Sequence, residues 1–225
     1  KSKTVIHIGW RQANAFDGKR KYPVQIAYVR GRTYAGEGKY LLYDWPTDRD
    51  APGFLNKMTN NMADTRGYRC AIGDDGLLYC GFECAGGNHI FRWEPRLADG
   101  QWVKAGDKKA KGDRYHGFYN SRAEHKTFMG RYRPDTGEYL RGQEFCGRLS
   151  SGRANAVRME HGAIAATATG ALFLGGASAY GLPVSMEMPG TGDYTGGAFL
   201  LAMKPDLTGR LECIRFNPGG HTHAI

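Results

Sequence analysis

The 225 residues carry 31 Lys and Arg against 22 Asp and Glu, a formal charge of +9, with 41% apolar and 24% charged side chains. That balance buries a core and excludes a disordered chain, while apolar stretches as short as 163–166 and 198–203 exclude a membrane helix, which needs ~18 such residues. The outlying figure is 33 Gly beside 13 Tyr, 10 Phe and 4 Trp; with glycine at about twice its usual ~7%, strands and tight turns are expected in place of long helices.

In chain order, Lys3–Gly9 reads as a strand and Arg11-Gln-Ala-Asn-Ala-Phe16 as a polar turn feeding a strand of small residues. Val24–Val29 follows as a strand rich in aromatic and small residues, then Tyr40–Pro46 as an apolar strand running into proline. The series recurs with Arg66–Ile72, Leu77–Phe82 and His89–Pro95, the last leading through Asp99-Gly100 into Gln101-Trp-Val. A third pass has the run Lys104–Arg114 where its small-residue strand belongs, then Gly117-Phe-Tyr119, Phe128–Pro134, the turn Asp135-Thr-Gly137 and Glu138-Tyr-Leu. A fourth has Arg153-Ala-Asn-Ala-Val157, Ala171–Gly176, Phe199–Pro205, the turn Asp206–Gly209 and Arg210-Leu-Glu, and His221-Thr-His-Ala-Ile225 opens another small-residue strand. Helical spacing occurs only in Leu55–Met62, one or two turns at most.

Four antiparallel strands per unit make a propeller blade. The expected fold is all-β, a β-propeller of four-stranded antiparallel blades, about four of them visible, with room for a larger ring. Residues 1–225 then form a single domain of repeat units at approximately 11–64, 65–106, 107–150 and 151–220. A β-sandwich is the competing fold, but it does not require one strand order to recur four times. Both ends fall inside a blade, Lys3–Gly9 as a fourth strand and His221–Ile225 as the start of a first. The chain therefore reads as an interior slice of a longer propeller, completed by more sequence or by a partner chain.

The stretch from Thr127 to Ile225 resembles the bacterial seven-bladed (SBBP-type) β-propeller repeat: Ala198-Phe-Leu-Leu-Ala-Met-Lys-Pro-Asp-Leu-Thr-Gly209 and Arg153-Ala-Asn-Ala-Val157 match its consensus, and Gly170–Ser178 fills its third position with Phe173 where Tyr is usual. The resemblance continues over Val5–Gly100, with Lys39-Tyr40, Asn88-His89, Lys126-Thr127 and Gly197-Ala198 standing where the repeat has Asp-Ala. It implies a secreted, cell-surface or periplasmic bacterial protein, and no shared enzyme activity.

In a propeller, the loops after the fourth and second strands of each blade open on one face around the channel. The first set places Arg11, Arg66, Arg153 and His221 at corresponding turns, a partial ring of positive charge; the plain alternative is that each Arg solvates its turn or pairs with a neighbouring acid. The second set holds Glu37, His89, His125 and Lys126 with the excursion Tyr180–Gly196, so the ligand-binding candidates are Arg11, Arg66, Arg153, His221, His89 and Tyr180. His116 and His125 read as solvated. His221 and His223 point the same way along a strand but lack a third ligand, so no metal is expected.

No nucleophile elbow, zinc helix, phosphate loop or haem motif occurs, so no catalytic residue and no cofactor is assigned. Asp74-Asp75 reads as a hairpin turn, which sets Cys70 directly opposite Cys80, where a disulfide is geometrically open; the default for the five cysteines is a buried free thiol. The basic runs Lys19-Arg20-Lys21 and Lys108-Lys109-Ala-Lys111 read as solvated loops, without the stacking platform that nucleic acid requires. The expected function is a non-catalytic binding or scaffold propeller that contacts an anionic partner or glycan through its loop face, its partners being other chains or segments of a larger ring, with acidic polysaccharide as a further candidate. The alternative is a polysaccharide lyase or hydrolase using the channel mouth, with a Tyr such as Tyr180 or Tyr194.

Overall fold

A computed structural model describes residues 3–16, 21–43, 64–85, 110–111, 125–149, 154–160, 162–178, 181–182, 184–187 and 197–216. The expected strands at 89–95, 101–103 and 117–119, the helical segment 55–62, and His89, Arg153, Tyr180 and His221 lie outside the described residues. Within them every regular element is a strand: β1 (Thr4–Phe16), β2 (Lys21–Thr33), β3 (Gly38–Tyr43), β4 (Thr65–Ile72), β5 (Leu78–Ala85), β6 (Ala110–Lys111), β7 (His125–Tyr132), β8 (Tyr139–Phe145), β9 (Gly147–Arg148), β10 (Ala154–Asn155), β11 (Val157–Arg158), β12 (Ala163–Ala166), β13 (Ala171–Gly175), β14 (Ala177–Ser178), β15 (Met186–Glu187), β16 (Phe199–Met203) and β17 (Arg210–Arg215). No helix among them is long and apolar enough to cross a membrane.

The first sheet is the antiparallel meander β1-β2-β3. The second is the antiparallel meander β4-β5-β7-β8, with β6 added in parallel beside β8. The third repeats that plan as β12-β13-β16-β17, with β15 added in parallel beside β17. In both, the excursion between the second and third strands supplies an edge strand for the fourth. Smaller ladders join β9 to β10 and β11 to β14. Four-stranded antiparallel units are therefore present, and among the described residues they do not close into a ring.

Two sequence assignments need correction. The boundary placed between 65–106 and 107–150 cuts through one sheet, because β7 pairs along the whole of β5, from Leu78 opposite Tyr132 to Ala85 opposite His125. His89–Pro95 and Phe128–Pro134 share a strand-to-proline pattern, but that pattern carries no register, and the latter is the described partner of β5. The strand thought missing before Phe128 is β4. Likewise Lys3–Gly9 and Arg11–Phe16 are one unbroken strand, paired residue for residue with β2 from Thr4 opposite Thr33 to Phe16 opposite Lys21.

Turn geometry fixes which strands correspond. Thr33 N–H bonds Glu37 O at 2.9 Å and Gly36 N–H bonds Thr33 O at 3.0 Å; Gly73 N–H bonds Leu77 O and Gly76 N–H bonds Gly73 O, both at 2.9 Å. Gly36 and Gly76 close these two hairpins at φ 89° and 73°, a region that glycine enters without steric cost. The hairpin β2–β3 therefore has the same turn as β4–β5, and Tyr40 lies on the third strand of its own sheet.

The sheets stack face to face. Ala27, Val29, Tyr40 and Leu42 of the first meet Leu78, Cys80, Phe82, Phe128 and Tyr132 on one face of the second. Tyr79 and Met129 on its other face meet Phe173, Phe199, Leu201 and Met203 of the third. The side-chain alternation of a strand puts β5 into both cores, and β2 and β12 flank β4 from either side.

At each joint a tyrosine from the strand that follows this turn in one sheet meets a proline carbonyl in the next: Tyr40 Oη lies 3.1 Å from Pro134 O, and Tyr79 Oη 2.8 Å from Pro205 O. Both prolines end the third strand of their sheet, where the absent N–H halts the ladder and the carbonyl remains as acceptor. Tyr79 Oη is also 2.8 Å from Asp75 Oδ2, and Arg131 donates to both groups. Burial, then the Asp75 hydrogen bond, pushes the Tyr79 hydroxyl up to about 12. Tyr79→Phe should therefore cost about 1–1.5 kcal/mol in urea unfolding, the usual net worth of a hydrogen bond, with no change in the far-ultraviolet spectrum.

Gly31 lies opposite Tyr40 and Gly175 opposite Phe199, and a Cβ at either glycine would overlap the facing ring. This cross-strand pairing is one physical reason for the joint excess of glycine and aromatics. At the tip of β16–β17, Leu207 sits at φ 58°, which costs a non-glycine residue about 1 kcal/mol or more; its complete burial in the second core offsets that strain. Cys70 is opposite Cys80 as expected, both are free thiols, and burial pushes both upward, Cys80 strongly.

Candidate functional site

The second sheet carries a buried carboxylate at the end where β4 begins, β5 ends and β7 begins. Glu83 on β5 is directly opposite Arg66 on β4 and Thr127 on β7, so all three share a face, and His125 lies on the same face two residues before Thr127. Thr127 Oγ1 donates to Val157 O at 2.9 Å, which brings the β11 segment over this face. The Glu83 side chain is 2% exposed.

Glu83 Oε1 accepts from Arg66 Nη1 at 3.0 Å and from His125 Nδ1. An ionised carboxylate only accepts, so the proton of the latter bond sits on Nδ1. Burial pushes the Glu83 carboxyl up, but the His125 hydrogen bond and the charges of His125, Arg158 and Arg66 outweigh it and hold the group below the ordinary 4.5. Oε2 is buried and has no hydrogen-bond partner.

Around this anchor, Arg66 Nη2 also pairs with Asp64 at 3.3 Å, and Arg66 Nε donates to Gln25 Oε1 of the first sheet. Gln25 N–H bonds Asp64 Oδ1 at 2.8 Å, closing the cluster across the joint. Tyr68, beside Arg66, has its hydroxyl pushed up to about 12 by burial and by the Glu83 charge, and its ring lies 5.8 Å from that of Trp10, which is 45% exposed. Arg158 and Glu160 form a wider pair at 3.9 Å. Among the described residues no group of three His, Cys, Asp or Glu is placed to hold a metal ion.

These positions revise the sequence reading. Arg66 is not an open cation at a turn, since two acids and a glutamine hold it. Arg11 does not correspond to it: Arg11 is in the middle of β1 opposite Ile26, whereas Arg66 is the second residue of β4. A shared Arg followed by small residues produced the equivalence, and the pairing removes it. His125 is bonded to a buried acid, not merely solvated, and Lys126 is wholly buried. Arg153, His221, His89 and Tyr180 fall outside the described residues. Sequence reasoning does not single out Glu83 or Asp64, although Glu83 is the single charge in the apolar strand Leu78–Ala85, and a charge at an inward position of an interior strand is the available signal.

The arrangement can hold an imidazole in one tautomer, fix a guanidinium, and offer planar polar groups beside an aromatic pair. No model of a known protein family matches the chain, and no curated protein matches it.

Proposed function

We propose that this chain is a non-catalytic binding or scaffold unit whose stacked sheets are blades of a β-propeller, with a further blade as its partner on the open side of the third sheet. The secreted, cell-surface or periplasmic bacterial setting implied by the repeat resemblance belongs to this proposal. One observation supports it most. In the first two sheets the second cross-strand pair from the hairpin contains the joint-forming tyrosine, Gly31–Tyr40 and Ala71–Tyr79. The same pair in the third sheet is Ala165–Leu172, and Leu172 is 36% exposed.

Leu172 stands beside Ala202, and Leu200 beside Ile214, all alternating with the buried Phe173, Phe199, Leu201 and Cys213. Leu211 is 52% exposed near them. This is the face that the first two sheets bury against their successors, so a second copy of the chain, offering a sheet of the same kind, suits it. Sedimentation of the chain should show concentration-dependent self-association that Leu172→Glu with Leu211→Glu abolishes. A chain that stays monomeric at about 100 μM, where even weak specific interfaces associate, would remove the support.

A carbohydrate-active hydrolase or lyase is the second reading, favoured by the buried carboxylate that bonds His125 Nδ1 and fixes the orientation of the imidazole. Product analysis on oligosaccharides decides it: no turnover retires the enzyme.

A further inference from the structure

We propose that the Glu83 cluster is a binding site for a neutral, hydroxyl-rich ligand, a glycan without acidic groups. This deepens the binding reading by naming a ligand class, and it does not depend on the open face of the third sheet.

Three observations on the site carry the proposal. The first is the orphan acceptor: Glu83 is 1% exposed, and its Oε2 has no partner although Oε1 has two. A buried lone pair without a donor is a standing cost, and the ligand that relieves it must bring an O–H or N–H.

The second is charge balance. The acids Glu83, Asp64 and Glu160 outnumber the arginines Arg66 and Arg158, and Arg66 is already engaged by Glu83 and Asp64. Little positive charge remains for an anion, and Asp64 and Glu160, each more than a third exposed, would repel one. A bare cation meets Arg66 and Arg158. A neutral donor–acceptor group, such as a pair of vicinal hydroxyls, suffers neither repulsion.

The third is the rim. Arg66 and His125 are each about a quarter exposed and stand over Glu83, and Tyr68 and the half-exposed Trp10 continue outward from Arg66. Fixed planar polar groups beside an aromatic face are what a sugar ring requires, with hydroxyls in the plane of the polar groups and C–H faces on the rings. A hydroxyl entering between Arg66 and His125 would donate to Oε2 and accept from the Arg66 guanidinium. His125 Nε2, freed by the bond at Nδ1, would serve a neighbouring hydroxyl.

The test is a panel of immobilised neutral and acidic oligosaccharides probed with the intact chain, followed by calorimetry on any that bind. Neutral oligosaccharides should bind with an affinity insensitive to salt. Glu83→Gln, which replaces an acceptor by an amide, should weaken binding about tenfold or more, a single lost charged hydrogen bond. Trp10→Ala, at an exposed ring, should weaken it about fivefold and serves as the deciding variant if Glu83→Gln melts early. Binding confined to acidic glycans and lost at high salt would overturn the proposal. So would no neutral binding at about 10 mM, beyond the weakest specific affinities, or neutral binding that both substitutions leave unchanged. None of these outcomes bears on self-association through Leu172, so the two readings fail separately.

Discussion

Glu83→Leu is expected to destabilise the chain by about 3 kcal/mol, the low end for breaking a buried ion pair, read as a lower urea midpoint. The lower end applies because Arg66 and His125 keep partial solvent contact and Arg66 retains Asp64. The same residue sets a pH dependence. Its folded carboxyl titrates below the ordinary 4.5, so it adds stability that is fully present above that value and is lost as pH falls through the folded one. Asp75, hydrogen-bonded by Arg131, Leu77 and Tyr79, and Asp206, held by Thr208, are lowered too and act in the same direction. Stability should therefore fall below pH 4.5, and Glu83→Gln should flatten part of that fall while leaving the share of the two aspartates. An acid limb as steep in Glu83→Gln as in the parent would show that Glu83 is not held ionised by its neighbours.

Gly175→Val should cost about 2–3 kcal/mol, the upper part of the range for forcing volume into a packed core. A Cβ at Gly175 overlaps the Phe199 ring, and Phe199 is fully buried against Phe145, with ring centroids 5.7 Å apart. No flexible tip can yield. The clash should be relieved when the ring is removed, so Phe199→Ala and Gly175→Val together should cost less than the sum of the two singly, with a coupling of at least about 1 kcal/mol for residues in contact. Additive costs would mean that the glycine serves another purpose. Gly31 opposite Tyr40 should behave alike, with the further loss of the joint to Pro134 if the tyrosine shifts.

The strands were legible in the sequence because alternation and turn residues are local signals. Asp135-Thr-Gly137 and Asp206–Gly209 do close β7–β8 and β16–β17, Asp74-Asp75-Gly76 closes β4–β5, and Cys70 faces Cys80 as the loop length required. Register between distant strands was not legible. Nothing local to Phe128–Pro134 says that it runs beside β5, so one sheet was divided at 106/107, and nothing local to Tyr40–Pro46 says that its hairpin matches β4–β5. The site was harder still, because its members come from β2, β4, β5, β7 and the β11 segment. Arg66 was visible as a cation, but the acids that neutralise it are two residues away on one side and across a strand on the other. His125 looked solvated among charged neighbours, and only the β5–β7 ladder brings Glu83 beside it.

The stack depends on β5 being an interior strand of its sheet, packed on both faces. Native-state hydrogen exchange tests this most directly. Interior strands exchange only through large openings, whereas edges exchange by local fraying. The ladder amides of Leu78–Ala85, between β4 and β7 and beneath both cores, should be among the slowest in the chain and should share one opening free energy with those of His125–Tyr132. Exchange of Leu78–Ala85 at edge-strand rates, independent of His125–Tyr132, would contradict the shared sheet and with it the stack, the tyrosine joints and the Glu83 site.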